Sequence, residues 1–131
     1  MSQFAGKTAV ISGGAEGIGL SIAQALGDQK MNIVIADIDE ANLQKARATL
    51  EDAGISVLTV ALDVAQEDQW QEVANQAIAR FKKIHMVVNN AGVGGDIGPI
   101  DAQDQKGWQW ALDVNLMGVV YGAKVMTPLI K

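Results

Sequence analysis

Four short apolar runs constrain this chain more than any other feature. They are Thr8 to Ile11, Asn32 to Asp37 (NIVIAD), Val57 to Leu62 (VLTVAL) and Met86 to Asn89 (MVVN). None alternates apolar with polar residues, so each is apolar on both faces. Strands of that kind belong in a parallel sheet covered on both sides by helices. The segments between them have helical length and spacing. Gly17 to Gln29 carries Ile18, Ile22, Ala25 and Leu26; Asp39 to Ala53 carries Leu43, Ala46 and Leu50; Ala65 to Phe81 carries Val73, Ala77, Ile78 and Phe81. The second opens on acidic residues, which suit the positive end of a helix dipole. Strands and helices alternating over short connections require right-handed crossovers and predict a doubly wound α/β layer structure. A last helix is predicted from about Asp104 to Leu129. From Val114 to Ile130 it is apolar nearly all round, and such a helix needs cover on all sides.

At 131 residues the chain is one domain's length. Its net charge of −5 argues against a nucleic-acid partner, which needs a basic face. There is no cysteine, hence no disulfide framework or thiolate metal site, and the one histidine, His85, argues against a histidine zinc site. No metal is expected. The N-terminal MSQFAGK lacks an apolar signal core, and no apolar run nears the ~20 residues of a membrane span. The expected setting is cytoplasmic, without a membrane partner.

The first apolar run leads into Ile11 to Gly19, ISGGAEGIG, with glycines at 13, 14, 17 and 19. Gly13 sits where a strand must turn sharply, and glycine tolerates the backbone angles this needs. Gly17 and Gly19 fall on the first turn of the following helix, whose unpaired N–H groups and dipole suit a pyrophosphate. The spacing G-x-x-x-G-x-G differs from the commonest dinucleotide fingerprint, G-x-G-x-x-G, but the mechanics are the same. A turn with no ligand is the competing reading. Asp37 ends the second run, where an acidic residue can accept hydrogen bonds from an adenosine ribose. It competes for the role of helix cap, but Asp39 is the better cap and leaves Asp37 for a ligand. A 2′-phosphate on that ribose would face Asp37, with Glu16 nearby. Two unit charges ~4 Å apart repel by roughly 4 kcal/mol at an effective dielectric of ~20. No arginine lies near either residue in sequence, so NAD is expected over NADP.

These residues resemble the short-chain dehydrogenase/reductase family along the whole chain. The likeness rests on SGGAEGIG at 12–19, Asp37, LDV at 62–64, NNAG at 89–92 and DVNLMGVVYGAK at 113–124. It implies a Rossmann-like sheet of at least four strands in the order 3-2-1-4. It implies hydride transfer between a nicotinamide cofactor and an alcohol or ketone. The backbone near Glu16 to Ile18 would hold the pyrophosphate, Asp37 the ribose, and Asp63 and Val64 would flank the adenine. Asn90, Ala91 and Gly92 would lie against the cofactor. The full implied cofactor set is Gly13, Ala15, Glu16, Gly17, Ile18, Gly19, Asp37, Ile38, Asp63, Val64, Asn90, Ala91 and Gly92. Asn115 would order a water and a proton path to a catalytic lysine. Each has a structural alternative: Asp63 as a helix cap, Asn89-Asn90 as a strand-end turn, Asn115 as a filler of a backbone gap.

Three departures qualify the likeness. Ser12 stands where the family usually has threonine, although both carry a hydroxyl. The family's catalytic serine, tyrosine and lysine follow a fifth strand and are not among residues 1–131. The expectation is therefore a domain cut short before that strand and inactive by itself, either the NAD-binding part of an oxidoreductase or a nucleotide-binding or interaction module. Tyr121-Gly-Ala-Lys124 has a spacing of three where the family's motif has four, and reads as a core-edge tyrosine and a surface lysine. A homo-oligomer built through the 104–129 helix is expected. His85 reads as structural, and Trp108 and Trp110 as packing residues. The loop Gly94 to Pro99 reads equally as a lid or as a loose connection.

Overall fold

The structure, a computed structural model, describes residues 3–94 and 98–130. Strands β1 (Thr8–Ser12), β2 (Asn32–Asp37), β3 (Val57–Ala61) and β4 (Met86–Asn89) alternate with helices α1 (Gly17–Asp28), α2 (Glu40–Asp52) and α3 (Glu67–Phe81). The four strands form one parallel sheet in the order β3-β2-β1-β4. The register sets Ser12 beside Ala36 on one side and Asn89 on the other.

The unbroken apolar runs are explained by two cores, one on each face. Ala9, Ile11, Ile33 and Ile35 point toward α1 and α2, where they meet Ala23, Leu43, Ala46 and Leu50. Val10, Val34 and Ala36 point the other way, toward Trp70, Val73 and Ala77 of α3 and Met126 of the last helix. Successive strand residues project to opposite faces, so a strand buried on both sides has no polar position to spare.

Helix α3 begins at Glu67 rather than Ala65. The Asp63 carboxylate accepts from the Ala65 N–H at 3.0 Å, and the Asp63 carbonyl from the Gln66 N–H at 3.0 Å. These bonds make a turn that delays the helix. The expected 104–129 helix is a single rod with an insert: α4 (Gln105–Leu112), a π-helical turn at Asp113–Met117, and α5 (Gly118–Ile130). Asp104 caps it, accepting from the Gly107 N–H at 2.8 Å. Only Gly118, Gly122 and Met126 of α5 are buried. The expected all-round cover reduces, among the described residues, to this one stripe at four-residue spacing. A side chain at Gly122 would come within 2.6 Å of Asn89 Oδ1 and 2.9 Å of the Trp70 ring, so its absence lets α5 sit close.

Lys124 is on the surface and pairs with Glu67 of α3 at 2.9 Å. That hydrogen bond and the carboxylate's charge raise the lysine's pKa. Tyr121 is half-buried at the edge of the α3-side core, as expected. His85 is structural: its Nδ1 accepts the Thr8 N–H at 3.0 Å. The two tryptophans depart from expectation. Trp108 is 45% and Trp110 49% exposed, on a helix, α4, in which only Gly107 is buried.

Candidate functional site

The strand order reverses direction at β1: the chain moves to β2 and β3 on one side and returns to β4 on the other. Loops leaving the carboxyl ends of β1 and β4 therefore diverge and open a crevice, the general ligand position in open α/β sheets. Ser12 fixes its floor. The buried Ser12 Oγ accepts from the Asn90 N–H at 3.1 Å and the Ala91 N–H at 3.2 Å, and donates to the Val88 carbonyl at 3.4 Å. Asn90 returns the tie, its Nδ2 donating to the Gly13 carbonyl at 2.9 Å. Gly13 has φ 62°, and a Cβ there would stand 2.8 Å from the Ala91 Cα. A Cβ on Gly19 would collide with the Gly13 carbonyl. Both glycines are thus required by close backbone approach between β1, β4 and α1.

Gly17 serves differently. Its φ is 57°, yet a Cβ there would meet nothing within 4 Å. The space over the first turn of α1 is open. Glu16, the residue before the helix, is extended and its side chain makes no capping bond. The first turn carries no acidic residue. Unpaired N–H groups at a helix start, left uncapped beneath open space, are the setting in which an anion binds.

Asp37 faces this loop from the end of β2. Its Oδ2 accepts from the Ala15 N–H at 3.1 Å and its Oδ1 from the Asp39 N–H at 3.1 Å. Asp39 is the helix cap, accepting from the Asn42 N–H at 3.0 Å. A carboxylate has about four acceptor sites, so Asp37 is fixed in place with acceptor capacity left over.

A cavity of about 470 Å³ joins these parts. Gly13, Glu16, Asp37 and Ile38 line it on one side, Asp63 and Val64 on a second, and Asn90, Ala91 and Gly92 on a third. Four expected residues are not in its wall: Ala15, which is buried and holds Asp37; Gly17 and Ile18, which are exposed; and Gly19, which packs against Gly13. Asn115 also stands outside the wall. Its side chain is clamped to Val93, accepting from the N–H at 2.8 Å and donating to the carbonyl at 2.7 Å. Leu62, Trp110, Asp113 and Val114 line the cavity and were not expected. Helical spacing was the available signal, since positions 110, 113 and 114 share one face of a rod.

An adenine dinucleotide fits this chemistry: uncapped donors and open space for a pyrophosphate, a fixed carboxylate for ribose hydroxyls, and apolar walls at Ile38, Leu62, Val64 and Val114 for a base. Among the described residues no cluster of histidine, cysteine or acidic side chains suits a metal ion, and no helix is long and apolar enough to cross a membrane. Of the loop Gly94 to Pro99, residues 95–97 lie outside the described residues, so the lid reading does too.

The sheet order and the glycine turn over α1 define a Rossmann-like α/β protein. Comparison with known proteins narrows the class. The short chain dehydrogenase family profile matches residues 7–131. The chain is 36% identical to a CLA biosynthesis dehydrogenase/reductase of Lactiplantibacillus plantarum, over 98% of this chain and 45% of that protein. It is 35% identical to 3beta-hydroxysteroid dehydrogenase 2 of Eggerthella lenta, over 92% of this chain and 46% of that one. A short-chain dehydrogenase/reductase from Burkholderia phymatum, solved in complex with NAD, superposes with a TM-score of 0.95 at 38% identity, over 99% of this chain and 46% of that one. The chain belongs to the short-chain dehydrogenase family. It spans just under half the length of these relatives.

Proposed function

We propose that residues 1–131 are the NAD-binding domain of a short-chain oxidoreductase acting on a small alcohol or ketone. The observation that carries this reading is the joining of Asp37 to the glycine loop through the Ala15 N–H. One side chain thereby sets the distance between a ribose acceptor and an open helix start. In this reading Gly13 and Glu16 to Gly19 surround the pyrophosphate, Asp37 and Ile38 the adenosine ribose, and Asp63 and Val64 the adenine. Asn90, Ala91 and Gly92 lie along the cofactor toward its nicotinamide. A nicotinamide held there would supply the hydride chemistry of the reaction. Asn115 has a supporting role through the loop at Val93, which it braces on both backbone groups. NAD is preferred over NADP because a 2′-phosphate would sit against Asp37 with Glu16 in the same cavity wall.

Residues 1–131 taken by themselves bind NAD without turning over substrate. The family's chemistry needs a group that passes a proton to or from the substrate oxygen, commonly a tyrosine with a lysine beside it. Tyr121 and Lys124 do not serve, because neither lines the cavity and Lys124 is at the surface beside Glu67. Calorimetric titration with NAD and NADP tests the reading. Binding of NAD at least tenfold tighter than NADP supports it; no binding of either, by a folded chain, overturns it.

A homo-oligomer through the 104–129 rod belongs to the same proposal. Trp108, Leu112, Leu116 and Val119 follow one another at helical spacing and are each between 38% and 54% exposed. Apolar side chains in a continuous exposed stripe mark an interaction surface.

A further inference from the structure

We infer that Trp110 is the closing wall of the adenine end of the cavity, a contact that rests on the NAD-binding reading above. Trp110, Asp113 and Val114 stand at i, i+3 and i+4 on one face of the rod, and all three line the cavity. Trp108, two residues away, is equally exposed but does not line it. Trp110 therefore belongs to the cavity side of the helix, whereas Trp108 does not.

The other lining residues decide what it meets. Asp37 fixes the ribose position, and Ile38, 72% exposed, continues the same wall outward. Asp63 and Val64 form the adjoining wall. The group attached to a ribose held by Asp37 is a purine, flat and with a π-face. A half-exposed indole and an exposed isoleucine lining one cavity offer apolar surface to such a group, and stacking on an aromatic is favourable for any base. Trp110 thus contributes to cofactor affinity from outside the glycine loop, and it acts on the adenine portion alone.

Adenosine diphosphate ribose, which keeps the adenine and lacks the nicotinamide, isolates this contact. Its affinity is measured by calorimetry for the wild type, Trp110→Ala, Trp110→Phe and Trp108→Ala, with far-ultraviolet circular dichroism as a check on folding. Trp110→Ala is expected to weaken binding about tenfold, Trp110→Phe to stay within about threefold, and Trp108→Ala to leave it unchanged. Titration should also quench indole fluorescence in the wild type and in Trp108→Phe, and lose most of that quench in Trp110→Phe although binding persists. Trp70, buried and donating to the Val64 carbonyl at 3.0 Å, provides a steady background. Wild-type affinity in Trp110→Ala, or a quench undiminished in Trp110→Phe, overturns the inference while leaving the NAD reading intact. Failure of the folded wild type to bind adenosine diphosphate ribose or NAD overturns both.

Discussion

Asp37 Oδ2 accepts a hydrogen bond from the Ala15 N–H at 3.1 Å. The end of β2 and the glycine loop are thereby joined, and the carboxylate proposed to select the cofactor also shapes the loop proposed to hold it. Replacing it should have two separable effects. Asp37→Ala leaves the Ala15 and Asp39 N–H groups without this acceptor and should cost about 1–3 kcal/mol of stability. It should also shift the NADP-to-NAD affinity ratio at least tenfold toward NADP. Asp37→Asn keeps one acceptor oxygen and should shift the ratio with a smaller loss of stability. An unchanged ratio in both variants would show that Asp37 does not choose between the cofactors.

Ser12 gives a prediction about the floor of the crevice. Its buried hydroxyl serves the Asn90 and Ala91 N–H groups together. Ser12→Ala should therefore destabilise the fold by about 1–2 kcal/mol, since the half-buried Ala91 N–H loses its acceptor while the Asn90 N–H keeps the Val88 carbonyl at 3.1 Å. Ser12→Thr keeps the oxygen and should lose under about 1 kcal/mol. Urea unfolding of the two variants distinguishes a hydroxyl requirement from a general intolerance of substitution. Equal losses would point to packing.

Gly17 and Gly19 should respond differently to alanine. Gly19→Ala drives a methyl into the Gly13 carbonyl and the Asn90 side chain, so stability should fall by about 1–3 kcal/mol or more. Gly17→Ala meets no atom within 4 Å and carries only the strain of a left-handed alanine, about 1–2 kcal/mol. Its methyl nevertheless enters the open space assigned to the pyrophosphate. Gly17→Ala should thus weaken NAD binding well beyond its effect on melting temperature. Binding that tracks stability in both variants would remove the pyrophosphate from that space.

Lys82 closes α3 with φ 75°, a left-handed conformation in a residue with a side chain. Glycine adopts it without the steric cost. Lys82→Gly should raise stability by about 0.5–1 kcal/mol, less whatever the exposed Lys82 Nζ bond to the Ala79 carbonyl contributes. Chemical denaturation measures this directly, and a destabilised variant would contradict it.

The exposed stripe on the rod predicts an assembly state. Leu116 is 54% exposed in its middle. If the stripe is a subunit interface, Leu116→Lys should convert an oligomer to monomer in analytical ultracentrifugation with little change in NAD affinity. A wild-type chain that sediments as a monomer at high concentration would rule the interface out.

The fold was legible because burial on both faces leaves a strong mark. NIVIAD reads as a two-sided strand from composition alone, and its observed bounds, Asn32–Asp37, coincide with the expected ones. Boundaries set by side-chain bonds were less visible. The start of α3 depends on how Asp63 turns its carboxylate toward Ala65, which no periodicity reports. The π-helical turn at Asp113–Met117 was likewise hidden, because its residues fit an ordinary helical pattern. In the site, loops carried by motifs were anticipated, while Trp110 was not. Its exposure reflects where the rod's margin falls relative to the crevice, a tertiary fact.

Ser12 and Asn90 lie 78 residues apart in the chain, and their bond fastens β4 to the rest of the sheet at the crevice. The β1, β2 and β3 strands pair through neighbouring segments, but the crevice waits for the most distant partner. Such non-local pairings are the slow ones in folding. The site is therefore expected to form late in folding, and the unfastened sheet presents no crevice. A ligand that occupies only the fastened state raises stability by mass action. For this domain the dinucleotide would act as a clasp, so its concentration would set how firmly the fourth strand stays home.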